Sequence, residues 1–124
     1  MGIAYVHVVE PRAGGNDDLP EDAAKSLDPF RKIWQGTFIA AGGYNRANAM
    51  EAVATGHADL VAFGRSHLAN PDFVKRIALD APMNPYDRST FYTQAPEGYT
   101  DYPCIEDTEW GKANAAAVAA VQLP

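Results

Sequence analysis

Residues 37–43 read TFIAAGG, and residues 60–65 read LVAFGR. Each segment begins with a short, almost wholly apolar run, typical of a strand covered on both faces, and then reaches glycine. Between them a helix is predicted from Asn45 to Thr55, with Asn45 as its N-cap and Gly56 as its stop. The order strand, helix, strand predicts that the two strands pair in parallel.

The same alternation continues on both sides of this unit. Ile3 to Val9 is a further apolar strand, and a helical pattern runs from Pro20 to Trp34, with a break or restart at Asp28-Pro29. Asn70 begins a last helix that continues to about Leu79. Three strands alternating with helices predict an α/β fold. A closed (β/α)₈ TIM barrel needs about 250 residues, so three βα units make at most part of one.

Composition limits the possible partners and the compartment. The chain has 124 residues, a net charge of -6 and a pI of about 4.8, which excludes nucleic acid as a partner because phosphate backbones require a basic surface. Cys104 is the only cysteine, so no disulfide can form within the chain. No apolar run approaches the roughly 20 residues of a membrane span. We therefore expect a cytoplasmic protein with no membrane partner.

The glycines after the second and third strands indicate a phosphate site. Ligands of α/β folds bind beyond the carboxyl ends of strands, and the loops after the last two strands of a barrel often bind phosphate. Glycine lets backbone N–H groups approach an anion, a following helix N-terminus adds positive potential, and Arg65 adds a charged fork of donors. The alternative is that the glycines form tight turns and Arg65 forms a surface ion pair.

Segments along the whole chain carry a more specific pattern. In chain order they are YVHVVEPR (5–12), AGGY (41–44), ADLVAFGR (58–65), NPD (70–72), YDRSTFYT (86–93) and GYTDYP (98–103). In this order they resemble the Old Yellow Enzyme family of flavin oxidoreductases, in the branch of the oxophytodienoate reductases and related NADPH dehydrogenases. The resemblance makes residues 1–103 the C-terminal portion of an FMN-binding barrel, with its sixth, seventh and eighth strands. It leaves residues 104–124 as a tail that we expect to be poorly ordered.

The resemblance also implies an activity and a set of binding residues. In an ene-reductase of this family, NADPH reduces FMN, and the flavin passes a hydride to an activated alkene. The groups implied for the flavin phosphate are the backbones of Gly42, Gly43 and Gly64 and the backbone and side chain of Arg65. Phe91 and Tyr92 match residues beside the flavin and the substrate opening, although aromatic core packing is the alternative.

Catalytic residues of the family are not expected in this chain. The family binds the substrate oxygen with a pair spaced H-x-x-N or H-x-x-H, and a tyrosine two residues later donates the proton. His67 and Asn70 have this spacing, but they follow the third strand, and residue 72 is Asp72. The catalytic groups and the flavin-ring contacts would come from the first five units of a barrel, so we expect the isolated chain to be inactive.

The other histidines and the cysteine have structural interpretations. His7 is predicted to be a hydrogen-bonded core residue, His57 lies at a helix C-terminus, and Cys104 is interpreted as an idle thiol. No spacing among these residues supports a metal site.

Three hypotheses remain open at this point. The chain is a portion of a flavin oxidoreductase, or a non-enzymatic remnant that binds phosphate weakly or pairs with another barrel piece, or a different phosphate-binding barrel. The segments at 86–92 and 98–103 argue against the last. Open strand edges further predict self-association or pairing with a complementary barrel half.

Overall fold

The computed structural model describes residues 2–10 and 27–121. The chain divides into an N-terminal unit, Met1–Phe63, and a C-terminal unit, Gly64–Pro124, and each has its own hydrophobic cluster. The predicted start of the first helix at Pro20 lies outside the described residues.

The N-terminal unit contains a three-stranded parallel sheet in the order β1-β2-β3. Its strands are β1 (Tyr5–Val9), β2 (Thr37–Ala41) and β3 (Leu60–Ala62). In the register of the sheet Ala41 pairs with Val9 on one side and with Ala62 on the other. The carboxyl ends of all three strands therefore lie at one edge of the sheet, which confirms the predicted parallel pairing.

Two helices of this unit begin where local signals place them. Helix α1 (Asp28–Ile33) starts at the predicted restart, with a proline in its first turn, where the missing N–H costs nothing. Helix α2 (Arg46–Ala54) has Asn45 as its N-cap: the Asn45 side chain accepts from the Asn48 N–H at 3.0 Å, and the Asn48 side chain accepts from the Asn45 N–H at 2.7 Å. This capping box satisfies two helix-end donors.

The sheet of the N-terminal unit is covered on one face only, among the described residues. The core on the covered face consists of Leu27, Phe38, Ala40, Tyr44, Ala49, Ala52 and Ala58. On the other face Tyr5, Val9 and Leu60 are 56%, 60% and 54% exposed, and His7 is exposed as well. The prediction that His7 is a core residue is thus wrong for this chain, because successive side chains alternate between the faces and the core lies against one of them.

An ion pair joins α1 to the turn before β3. The Arg31 guanidinium donates two hydrogen bonds to the Asp59 carboxylate, at 3.0 and 3.1 Å, and a third to the Gly56 carbonyl at 3.1 Å. Asp59 in turn accepts from the Phe38 N–H at 2.8 Å. One bidentate pair therefore positions the helix, the turn and β2 relative to one another.

The C-terminal unit is mostly short helices and irregular backbone. Its helices are α3 (Arg65–Leu68), α4 (Phe73–Leu79), α5 (Glu109–Ala113) and α6 (Ala115–Ala120), with 3₁₀ turns at Arg88–Thr90 and Ile105–Asp107. The described part of the tail packs against the rest of this unit. Ile105 is fully buried and Val118 is 4% exposed, and both pack with Ala81. No helix of the described residues is long and apolar enough to cross a membrane.

A buried arginine organises the C-terminal unit. Arg76 is 2% exposed, and its Nε donates to Asp72 at 2.7 Å. Its two terminal nitrogens donate to the carbonyls of Pro82, at 2.6 Å, and Pro103, at 2.9 Å. The second Asp72 oxygen accepts from the Ile105 N–H at 2.6 Å. Through this network α4 binds both ends of the irregular segment and the start of the tail.

Arg76→Met should destabilise the chain by about 3–5 kcal/mol, because it leaves the Asp72 carboxylate without its buried partner. Urea unfolding measures the loss, and amide exchange at residues 82–105 locates it. The control is Lys32→Met, which removes an exposed positive charge. A cost below about 1 kcal/mol, as for a surface substitution, would contradict the assignment of Arg76 as the organising residue.

Candidate functional site

The Gly42-Gly43 pair follows β2 directly and adopts backbone angles that favour glycine. The φ angles are +116° at Gly42 and +67° at Gly43. A Cβ on Gly42 would lie 2.9 Å from the Glu10 carbonyl oxygen, and the Glu10 N–H donates to the Ala41 carbonyl at 2.7 Å. Gly42 is therefore required by the chain itself, because a side chain there would push the ends of β1 and β2 apart.

A buried polar pair holds the same strand ends. Glu10 is 1% exposed and accepts a short hydrogen bond from the hydroxyl of Tyr44, which is itself 8% exposed. Since a buried carboxylate is costly without a partner, this bond fixes the turn that contains Gly42 and Gly43 from both sides. Sequence reasoning missed this pair; the signal was a glutamate directly after an apolar strand.

Gly64 differs from Gly42. Its φ of -96° is one that any residue adopts, and a Cβ built on it meets no heavy atom within 4 Å. Packing in the described chain therefore does not require glycine at this position. Helix α3, which follows Gly64, has only four residues, so a single turn of backbone supplies the N–H groups at this end.

The Arg65 side chain lies over an aromatic ring of its own unit. Its guanidinium carbon is 5.3 Å from the centroid of the Tyr86 ring, within the range of a cation–π interaction. Arg65 is half-buried. The side chain is thus positioned by Tyr86, a residue of the YDRSTFYT segment.

The predicted aromatic residues differ in their surroundings. Phe91 is half-buried, with its ring 5.7 Å from that of Tyr86 and 6.5 Å from that of Tyr92. Tyr92 is 96% exposed and has a φ of +62°, which is unusual for a residue with a side chain. The core-packing alternative therefore fits Phe91 and does not fit Tyr92.

The GYTDYP segment supports the aromatic segment through its two tyrosine hydroxyls. Tyr99 accepts from the Tyr92 N–H at 2.7 Å, and Tyr102 accepts from the Asp87 N–H at 3.0 Å. Asp87 also accepts from the hydroxyl and N–H of Ser89, and these hydrogen bonds hold the pKa of the Asp87 carboxyl below its usual value. Irregular backbone is thus fixed by side chains in place of a sheet or helix.

The residues with catalytic spacing have structural roles. Asn70 is fully buried; its Nδ2 donates to the Ser66 carbonyl at 2.7 Å, and its Oδ1 accepts from the Asn84 N–H at 2.8 Å. Both ends of the amide are therefore used within the unit. The exposed His67 packs edge-on against Phe73, at 5.7 Å between ring centroids.

The Cys104 thiol adds no reactive group to the candidate site. Burial raises the pKa of the Cys104 thiol, and the carboxylates of Asp72 and Glu106 raise it further. A raised pKa disfavours the reactive thiolate, which supports the interpretation of an idle thiol. The described residues contain no group of three or more His, Cys, Asp or Glu side chains placed to hold a metal ion.

Comparison with known proteins identifies the family. The model of the NADH:flavin oxidoreductase / NADH oxidase family matches residues 1–84. The chain is 56% identical over 109 residues to 12-oxophytodienoate reductase 1 of Oryza sativa subsp. japonica, covering 87% of this chain and 28% of that protein. It is 53% identical over 108 residues to 12-oxophytodienoate reductase 2 of Arabidopsis thaliana, covering 86% and 29%. The chain belongs to this flavin oxidoreductase family, the Old Yellow Enzymes.

A solved structure agrees with the sequence comparison. Morphinone reductase superimposes with a TM-score of 0.69 and 40% identity, over 86% of this chain and 28% of that one. The parallel sheet with its helices is accordingly consistent with part of an α/β barrel. The chain spans a little over a quarter of the length of the curated relatives it matches.

Substituting the two glycines should change the free energy of unfolding by very different amounts. Gly42→Ala should cost about 2 kcal/mol or more, because it combines a disfavoured φ with a collision at Glu10. Gly64→Ala should stay within about 0.5 kcal/mol of the original chain, since the new methyl group meets open space. Urea unfolding of both variants is the measurement. A large loss at Gly64 would mean that the chain's own packing requires this glycine.

Proposed function

We propose that this chain forms the flavin-phosphate portion of an FMN-dependent ene-reductase-type oxidoreductase, comprising the last three βα units of its barrel. When bound, FMN carries a hydride from NADPH to an activated alkene. Membership of the family supports the flavin and the nicotinamide reductant, and the similarity to 12-oxophytodienoate reductases supports an alkene conjugated to a carbonyl group as the substrate. We further propose a cytoplasmic location.

The contrast between Gly42 and Gly64 carries the proposal. Gly42 is explained by contacts inside the chain, whereas Gly64 has an ordinary φ and open space around its Cβ position. A glycine that the chain itself does not require is accounted for by a group outside the chain that must approach the backbone closely. A phosphate is such a group, because its oxygens accept hydrogen bonds from backbone N–H groups.

The proposed phosphate ligands are of two kinds, backbone N–H groups and one charged side chain. The backbone donors proposed for the phosphate are those of Gly42, Gly43, Gly64 and Arg65. The Arg65 guanidinium offsets the phosphate charge and offers in-plane donors to its oxygens. Tyr92, exposed and with its backbone fixed by Tyr99, is proposed to lie beside the flavin and the substrate opening, with Phe91 packed behind it.

No residue of this chain is proposed as catalytic. The structural roles of Asn70 and His67 remove the one pair with suitable spacing. The groups that bind the substrate oxygen and donate a proton to the substrate are therefore proposed to come from outside this chain. The isolated chain should bind flavin through its phosphate and lack turnover.

FMN should bind the full 124-residue chain more tightly than riboflavin, which has the same ring and no phosphate. Arg65→Ala should remove most of this difference, roughly 10- to 100-fold in affinity, because a hydrogen bond to a charged group is worth about 1.5–3 kcal/mol. Titration followed by flavin fluorescence measures both affinities, and Lys32→Ala is the charge-matched control.

Equal affinities for FMN and riboflavin would overturn the phosphate assignment. The same samples, supplied with NADPH and cyclohexenone, should consume no more NADPH than free FMN does. Turnover above that background would contradict the proposal that the catalytic groups lie outside this chain.

A second candidate function is pairing, either between two copies of this chain or with a complementary barrel half. The specific observation is the open sheet face with Tyr5, Val9 and Leu60, each more than half exposed. In addition, β1 and β3 are the outer strands of the described sheet, so each has one paired edge. Apolar faces and unpaired edges recruit further chains.

The purified chain should therefore elute from size exclusion with a light-scattering mass above its own 13.4 kDa. Val9→Glu places a charge on the open face and should shift the population toward monomer. Val53→Glu, at a residue of α2 that is 48% exposed, is the matched control and should leave the mass unchanged. A monodisperse species near 13.4 kDa that unfolds cooperatively would refute the pairing.

A further inference from the structure

The guanidinium of Arg65, a long and flexible side chain, lies over the aromatic ring of Tyr86. Its guanidinium carbon lies 5.3 Å from the Tyr86 ring centroid. An arginine side chain that must be ordered when a ligand binds loses conformational entropy at that moment. A ring that already holds the guanidinium in place removes part of this cost, because the order exists before the ligand arrives.

Tyr86 is suited to this role because its segment is clamped on both sides. Two residues before it, the Asn84 side chain donates to the carbonyls of Ala69 and Pro103, both at 2.8 Å. Directly after it, the Asp87 N–H donates to the Tyr102 hydroxyl at 3.0 Å. Pro85, with its fixed φ, stands between the first clamp and the ring. Tyr86 is therefore a fixed platform in backbone that has no regular secondary structure.

The Tyr86 ring also belongs to a cluster of aromatic rings. The Tyr86 ring lies 5.7 Å from the Phe91 ring at an angle of 36°, so its orientation is limited by a neighbour as well as by its backbone. A guanidinium that lies over a ring keeps its N–H donors in its own plane, pointing away from the ring. Contact with Tyr86 is thus compatible with hydrogen bonds from Arg65 to an anion.

We propose that Tyr86 is a positioning residue for anion recognition: it holds the Arg65 guanidinium over its ring so that Arg65 is ordered before a flavin phosphate binds. This inference rests on the proposed function of Arg65 as a phosphate ligand. Tyr86 acts through Arg65 and contacts neither the phosphate nor the reacting atoms. The interaction depends on the ring and not on the hydroxyl, so a phenylalanine at this position should hold Arg65 equally well.

The test compares ring-removing and ring-keeping variants of the full chain. Tyr86→Leu should reduce the preference for FMN over riboflavin about two- to five-fold, the effect expected of a cation–π contact near the surface. Tyr86→Phe should retain the preference of the original chain. Tyr5→Leu makes the same side-chain change at an exposed ring of β1 that has no proposed role in flavin binding, and it should retain the preference.

A double-mutant cycle separates this inference from the proposed function. In an Arg65→Ala background, Tyr86→Leu should have no further effect on the FMN-to-riboflavin ratio. A chain with no preference for FMN, or one whose preference survives Arg65→Ala, overturns the phosphate role of Arg65. A preference that falls with Arg65→Ala but survives Tyr86→Leu overturns the positioning role alone.

An NMR measurement on the chain without flavin tests the contact between Arg65 and Tyr86 independently. The Arg65 Nε–H resonance should be shifted by the ring current of Tyr86, and the shift should persist in Tyr86→Phe and vanish in Tyr86→Leu. Titration with inorganic phosphate should then move this resonance at lower concentration in the original chain than in Tyr86→Leu. Equal phosphate responses in the two chains would overturn the inference even where flavin binding is weak.

Discussion

The buried guanidinium of Arg76 is the interaction on which the C-terminal unit depends. A charge that is 2% exposed is tolerable only when its donors are satisfied, and here they bind the Asp72 carboxylate and the carbonyls of Pro82 and Pro103. Those carbonyls bracket the irregular segment, in which neither a sheet nor a long helix supplies backbone partners. One arginine on a short helix thus positions the loop that carries Tyr86 and Tyr92.

Polar groups hold the N-terminal unit in a comparable way, although with different solvent exposure. The bidentate Arg31–Asp59 pair is partly exposed, so water screens its charges and its contribution is mainly geometric. The Glu10–Tyr44 pair is buried, so losing either partner would remove a hydrogen bond where little water is available to replace it. The turn after β2 is therefore fixed more firmly than its glycine content alone suggests.

The features that sequence reasoning predicted are those with local causes. The bounds of β2 and the Asn45 cap of α2 follow from an apolar run, a capping residue and a glycine stop that lie within a few residues of each other. Helix α3 was missed, because four residues carry no periodic pattern. The packing of Ile105 and Val118 was missed as well, since single apolar residues in an acidic and alanine-rich tail give no sign of the partners they reach.

Burial in the sheet could not be predicted for a different reason. The run IAYVHVV is apolar at nearly every position, which indicates cover on both faces, and yet Tyr5, His7 and Val9 are exposed in this chain. An apolar pattern indicates which side chains favour burial, and it does not say whether the covering partner lies within the same chain. The exposed face is the surface on which the proposed pairing rests.

Two glycines of the candidate site show that a sequence pattern does not reveal the contacts a residue makes. Gly42 and Gly64 have the same sequence signature, a glycine that follows an apolar strand, and both were predicted as phosphate ligands for the same reason. Their structural causes differ: Gly42 lies against the backbone of Glu10, whereas Gly64 has open space where a side chain would be. Sequence cannot separate these cases, because the contact that requires Gly42 comes from a residue 32 positions earlier. Under the proposed function, folding constrains the first glycine and ligand binding the second, so a substitution at Gly64 should change the phosphate affinity without changing the fold.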